Sequence, residues 1–493
     1  MSAAETTVPR TGSGRWVALV VVLVASFMQL LDGTITNVAI PLIKRDLQAT
    51  DAQIQFVLAA YLLAYAALLI TGGRIGDIIG RKRSFMIGMV GFILASILCG
   101  LCQSGLQLDL ARGLQGITAA LMLPQVLAVM QVLFPPGSHP GDRAKAFGLY
   151  GLTLGLPTLL GPFVGGGILQ ANLGGLGWRP IFLVNVPIGI AVLLLAPRFL
   201  PESKATGKVR LDLVGVVLIA VALVLLVGVL VQGRQAGWPA WAWIGGVLAI
   251  AALVAFWWWE SRLTEQQRSP LLPMTLFHDR AFSVGLLITL VVFAGFTPLV
   301  FFFSIYLQLG VGYSPLAAGI TTVPFAVGSM ITSIASAMLA PKLGRTLLTL
   351  GAAVVCVGMA ALAVTIGFAA VPLASGWLVA PALLIAGLGL GMLVGPLVNV
   401  ILGASKSADA GAASGVLNNV NIVAGAVGVA LFGVIFFSAA GGGTALAYTS
   451  AVRLTIISTL VAFAIVLVLT FALPQPARTP VANVGRTPEG SHS

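Results

Sequence analysis

Residues 16–40 read WVALVVVLVASFMQLLDGTITNVAI, and this run decides the fold. One charged residue, Asp32, interrupts an otherwise apolar and neutral stretch. As a helix rising 1.5 Å per residue it covers about 37 Å, more than the roughly 30 Å hydrocarbon core of a bilayer. It is too long for the apolar region of a cleaved signal peptide, and no A-x-A-like site follows, so a first spanning helix is expected behind Arg10 and Arg15.

The same pattern repeats to the end of the chain. Of its 493 residues 58% are hydrophobic and 8% charged, with a mean hydropathy of +1.05. Soluble domains carry about 25% charged residues. The apolar blocks number about fourteen, each about 20 residues long. The expected fold is therefore an all-α integral membrane bundle. Hydrophilic connections divide it into a tail at 1–15, a six-helix group at 16–200, an inserted helix pair with flanking loops at 201–280, a second six-helix group at 281–473 and a disordered tail at 474–493. Two groups of six suit parallel-repeat transporters, whose substrate site lies between the halves. Thr297-Pro298 is expected to break the ninth span at cavity depth.

A net charge of +12 would fit a nucleic-acid binder. Its distribution argues otherwise, because Lys and Arg concentrate in the loops on one side, as the positive-inside rule requires. Both termini are then cytoplasmic and nucleic acid is no partner. Cys99, Cys102 and Cys356 supply no second ligand pair for zinc, and His139, His278 and His492 fall in loops or the tail. No phosphate-binding G-x-x-x-x-G-K-[ST] occurs. No Ser/His/Asp cluster or metal pair supports an enzyme, and no cofactor is expected.

Several short patterns carry more than hydropathy. Gly73-Arg74-Ile75-Gly76-Asp77-Ile78-Ile79-Gly80-Arg81-Lys82-Arg83 sets an acid and three spaced glycines inside a basic turn. Asp77 there could cap a helix of the other half, while the basic side chains meet carbonyl ends. Leu31-Asp32-Gly33-Thr34-Ile35-Thr36-Asn37-Val38-Ala39, Arg112-x-x-Gln115-Gly116, Gly161-Pro162-x-x-Gly165-Gly166 and Trp178-Arg179-x-x-Phe182-x-x-Asn185-x-Pro187 follow at the first, fourth, fifth and sixth spans. In that order they resemble the signatures of the major facilitator superfamily, in its fourteen-helix drug:proton antiporter branch. Ile78 stands where a basic residue is usual, Pro157 replaces an upstream glycine, and Asn421 and Ile422 stand where Arg and Gln are often found. The resemblance implies export of lipophilic or amphiphilic small molecules in exchange for protons, by a monomer in a bacterial cell membrane. A proton-coupled importer of a small organic solute is the alternative.

The residues give that reading a physical centre. A charge at the bilayer midplane costs about 2.5–3.5 kcal/mol on insertion scales, so an intramembrane Asp is functional by default. Asp32 is expected about 12 Å deep and Arg112 about 6–9 Å deep, within reach of the long guanidinium. A nearby cation favours the carboxylate and desolvation opposes it, so moving the two groups apart or together would load or release a proton. Asp109, one turn before Arg112, is a rival partner. Asp32→Asn is expected to abolish coupling and leave folding intact. The loop residues Gly73, Arg74, Asp77, Gly80 and Arg81 are expected to control gating. So are Pro157, Gly161, Pro162, Gly165 and Gly166, since prolines bend a helix and small residues admit close neighbours. The candidate pocket, facing the bundle axis at mid-depth, comprises Gln29, Tyr61, Gln115, Gln125, Asn185, Phe296, Tyr306 and Asn418.

Overall fold

The structure, a computed structural model, describes residues 12–135, 140–204, 212–266, 270–272, 274–368, 375–403 and 410–474. Every long element among them is an α-helix. The first group comprises α1 (Gly12–Asp46), α2 (Asp51–Ile79), α3 (Arg81–Leu101), α4 (Gly105–Leu133), α5 (Pro140–Ala171), the short α6 (Pro180–Leu183) and α7 (Asn185–Phe199). The inserted pair is α8 (Leu213–Gln235) and α9 (Ala240–Glu265). The last group is α10 (Arg280–Ile305), α11 (Pro315–Leu343), α12 (Arg345–Phe368), α13 (Ala380–Gly403), α14 (Ala410–Ala439) and α15 (Ala445–Thr470).

Among the described residues, thirteen helical segments are long and apolar enough to cross a membrane, with α6 and α7 together making one of them. The 32-residue α5, rich in glycine, packs along α1 and α11 in the place of the remaining expected span. Alternating direction returns α15 to the face where α1 starts, called here the terminal face; the opposite face is distal.

Local sequence explains where helices begin. Thr50 and Gln53 form a reciprocal capping box at α2, and Ser104 caps α4. Asp279 accepts from Ala281 N and Phe282 N to start α10, and Thr444 caps α15. One expectation is corrected in α10. The helix runs unbroken through Thr297 and Pro298, and its irregularity comes later, as a π turn at Tyr306–Gly310. A proline removes one hydrogen bond, which packing on neighbouring helices tolerates.

Within the first group α2 packs on α4, α4 on α3, and α1 on α5 and α7. Within the last, α11 packs on α13, α13 on α12, and α10 on α14 and α15. The halves meet through α5 with α11, α2 with α14 and α1 with α10. The inserted pair lies outside this arrangement, with α8 laid against both α2 and α14. Trp241 and Trp243 are exposed at one end of α9, Trp257 and Trp258 near the other. Those ends are about 24 Å apart along the helix, the spacing of two interfacial aromatic belts.

Candidate functional site

Asp32 lies midway along α1 and points into the first half. Its Oδ2 accepts from Arg112 Nη1 at 2.5 Å, and its Oδ1 accepts from Asn185 Nδ2 at 2.7 Å and Gln115 Nε2 at 3.1 Å. Both side chains of the ion pair are fully buried. Arg112 also donates from Nε to Val57 O at 2.9 Å and from Nη1 to Gln115 Oε1 at 2.6 Å. Its Nη2 has no hydrogen-bond partner, and the guanidinium sits 4.4 Å from the centre of the Tyr61 ring. Ser96 Oγ accepts from Gln115 Nε2 at 2.9 Å and from Asn185 Nδ2 at 3.3 Å. Ions buried this deeply cost several kcal/mol each unless geometry and further hydrogen bonds compensate. Here α1, α2, α3, α4 and α7 all contribute to that compensation.

The sequence patterns converge on this cluster and extend from it. In the sixth-span pattern, Asn185 reaches Asp32, and Phe182 lies 5.7 Å from the Arg112 guanidinium. Trp178 Nε1 and Arg179 Nη1 clamp Asp46 at the end of α1, at 2.9 and 2.8 Å. In the fourth-span pattern, Gly116 lets α4 approach α2, since a Cβ there would strike Tyr61 O. The first-span pattern serves three neighbours. Thr34 Oγ1 donates to Pro157 O at 3.1 Å, Asn37 O accepts from Ser304 Oγ at 3.3 Å, and Val38 O accepts from Gln308 Nε2 at 2.9 Å.

The fifth-span residues hold α5 between two helices. Gly161 lies against Thr34 and Gly165 against Ile35, on α1. On the adjoining face Gly166 faces Leu316, and Pro162 O meets Gly319, on α11. These contacts, with the hydrogen bonds of Ser304 and Gln308 to α1 carbonyls, tie the halves together toward the distal face.

Of the pocket candidates, the structure brings Gln29, Tyr61, Gln115 and Asn185 to the ion pair or its first neighbours; Gln29 Nε2 donates to the Tyr61 hydroxyl. Asn418 is exposed on α14 and hydrogen-bonds Tyr65, whose ring stacks 6.1 Å from Tyr61, so it approaches the cluster from the other half. Phe296 stacks on Phe325 at 5.3 Å within the last group. Tyr306 is buried in the distal π turn, and Gln125 lies toward the terminal face, donating to Gly72 O at 2.9 Å and abutting Gly76. Asp109 makes no described contact with Arg112; its Oδ1 is buried without a partner, beside a cleft lined by Gln53, Phe56, Gln232 and Trp241.

The α2–α3 turn departs from one expectation. Asp77 pairs with Arg81 at 3.2 Å and caps no helix of the other half among the described residues. The cap belongs to Glu202, whose Oε1 accepts from Lys82 N at 3.2 Å at the start of α3. Carbonyls do receive the basic side chains, Pro270 O from Arg74 and Pro197 O from Lys82. Gly80 takes φ +114°, which only glycine adopts freely, and a Cβ there would enter the Glu202 carboxylate. Gly73 has room, its nearest neighbour being Pro124 at 3.5 Å, whereas Gly72 would collide with Ala120 O.

A bundle of membrane-spanning helices in two packed halves, with an ion pair buried at mid-depth, is the architecture of a polytopic membrane transporter. Family models for the major facilitator superfamily match residues 22–215 and 210–429, and the chain belongs to that superfamily. It is 41% identical over 428 residues to a probable actinorhodin transporter of Streptomyces coelicolor, covering 87% of this chain and 73% of the relative. A puromycin resistance protein of Streptomyces alboniger is 35% identical, covering 85% of this chain and 82% of that one. A cephamycin export protein of Amycolatopsis lactamdurans is 34% identical over 87% and 85%. Among solved structures, a bacterial homologue of the lysosomal transporter Spinster in its inward-facing, unoccupied form superposes with a TM-score of 0.66 at 16% identity, covering 94% of this chain and 98% of that one. That likeness concerns the fold.

Proposed function

We propose that this chain exports amphiphilic small molecules, antibiotics among them, across a bacterial cell membrane in exchange for protons. The observation that carries the reading is the fully buried Asp32–Arg112 pair, held by side chains from α4 and α7. Relatives named for antibiotic export and resistance give the direction and the substrate class.

In this reading the terminal face is cytoplasmic and the halves rock about the pair as a monomer. While Arg112 holds Asp32, the carboxylate stays ionised. Movement that draws the guanidinium away leaves a buried carboxylate with too little compensation, and a proton is taken up in its place. In this proposal substrate entering from the terminal face meets the cluster at Gln29, Tyr61 and Asn418, so proton and substrate occupancy become linked. The α5–α11 and α1–α10 contacts form the distal gate, and the α2–α3 turn with Arg74, Asp77, Gly80 and Arg81 is the terminal-face counterpart.

The test is dye accumulation in cells with and without the protein. Expressing cells should hold less lipophilic dye, and a protonophore should remove the difference. Faster energised accumulation in expressing cells would favour import and overturn the proposal.

A further inference from the structure

The inserted helix pair carries acid chemistry that the ion pair of the first half does not use. Asp212 stands at the start of α8 and Glu260 near the end of α9, both at the terminal face. Asp212 is 8% exposed and Glu260 fully buried. Each has one oxygen served by donors: Asp212 Oδ1 accepts from Gly215 N and Trp259 Nε1, both at 3.0 Å, and Glu260 Oε2 accepts from Leu272 N at 3.0 Å. The other two oxygens, Asp212 Oδ2 and Glu260 Oε1, have no donor. Both converge on Gly215, where a Cβ would meet each of them, and the two side chains lie within hydrogen-bonding reach of one another.

Two carboxylates cannot both be ionised at that separation in a dry site, because like charges and desolvation act together. The positive charge from α2 that faces both of them is Arg74, in the signature turn. One cation balances one carboxylate. Asp77 also acts on Arg74 but carries its own counter-ion, Arg81 at 3.2 Å, and Arg262 lies over the Trp258 ring. The orphaned oxygens converge on one point beside Gly215, and what makes a hydrogen bond between two carboxyl groups is a proton.

We propose that Asp212 and Glu260 form a second proton-binding site, holding one proton between Oδ2 and Oε1, and that its occupancy ties the inserted pair to the signature turn through Arg74. With the proton bound, Arg74, one carboxylate and one carboxylic acid sum to zero. Loss of the proton leaves a net negative charge beside Arg74 and tightens the hold on α2, so transport responds to pH on the terminal face separately from Asp32. The link to transport rests on the function proposed above; the shared proton does not.

The test therefore reads the proton first. Infrared difference spectra of the purified full chain, titrated from neutral to alkaline pH, should show loss of a protonated carboxyl carbonyl band that persists in Asp32→Asn and disappears in Asp212→Asn and in Glu260→Gln. Asp212→Asn keeps the geometry, since its amide oxygen can still accept from Gly215 N and Trp259 Nε1 while its NH2 donates to Glu260. The pair binds a proton that the unfolded chain lacks at neutral pH, so wild-type stability should fall as pH rises through its titration. Asp212→Asn should flatten that fall and also flatten the pH profile of dye export. Absence of the band in wild type, or its survival in both variants, would overturn the proposal. So would a response to sodium or divalent cations at fixed pH, which would make the site a metal-cation site. A missing export phenotype with the infrared result intact would remove only the coupling to Arg74.

Discussion

Asp32→Asn is the substitution on which the central assignment turns, and the geometry changes what it should do. Charge removal alone would leave the fold intact, as the sequence suggests. In the structure, however, Asp32 accepts from three donors on Arg112, Gln115 and Asn185. An asparagine offers one acceptor oxygen and places an NH2 against at least one of these donors. Gln115 cannot simply turn its amide, because its Oε1 already receives Arg112 Nη1. The guanidinium is left buried without its counter-ion, and breaking a buried pair in this way costs about 3–5 kcal/mol. Arg112→Gln should cost a similar amount for the complementary reason. The double variant removes both charges and should cost less than the sum of the two, with a coupling energy of roughly 3 kcal/mol. Thermal and denaturant unfolding of detergent-purified protein, followed by tryptophan fluorescence, measures all four corners of the cycle. Proton release on adding substrate to reconstituted protein measures function, and none of the three variants should exchange protons. Additive stability losses would refute the buried ion pair. Near wild-type proton exchange in Asp32→Asn would refute its role in coupling.

Further outcomes follow from the gates and from the rival acid. Gly166→Ala should impair export severely, because its Cβ would lie 2.5 Å from Leu316 Cα and force α5 from α11; increased labelling of a single cysteine placed at the distal face would report the opening. Gly73→Ala, with its nearest neighbour at 3.5 Å, should export at close to the wild-type rate in the same dye assay. Asp109→Asn breaks no described hydrogen bond and should keep proton exchange within a few-fold of wild type; abolition would shift the coupling role toward Asp109.

Much of the fold was legible because the bilayer constrains it so strongly. Apolar runs of spanning length marked the helices. Asp32 was legible for the same reason, as an acid with no business in an apolar run unless something compensates it. Its partner Arg112 was legible from depth along two antiparallel helices. Ser96 was not, because a small polar residue in a glycine-rich helix resembles every other small packing residue. Glu260 was not legible either, since in sequence it simply follows the Trp257–Trp259 cluster. Only the packing of α9 on the start of α8 shows it fully buried. The break expected at Thr297-Pro298 failed because proline signals a missing hydrogen bond, while the response to that loss is set by neighbouring helices.

The glycines sharpen this distinction between chemistry and contact. Gly72 and Gly73 are neighbours in sequence and equally small. One lies against Ala120 O and admits no side chain, while the other has room for a methyl group. Spacing identifies a close-packed stripe, but the partner helix chooses which member of the stripe bears the contact. The same holds for α5, where Gly161 and Gly165 serve α1 while Pro162 and Gly166 serve α11. One helix thus touches, on two neighbouring faces, the helix that carries the carboxylate and the helix of the other half. A displacement of α5 that opens the distal contact at Gly166 must also act on Thr34, two residues from Asp32. Under the proposed exchange, that short mechanical path from the distal contact to the buried carboxylate is what would make proton movement and gate opening one event.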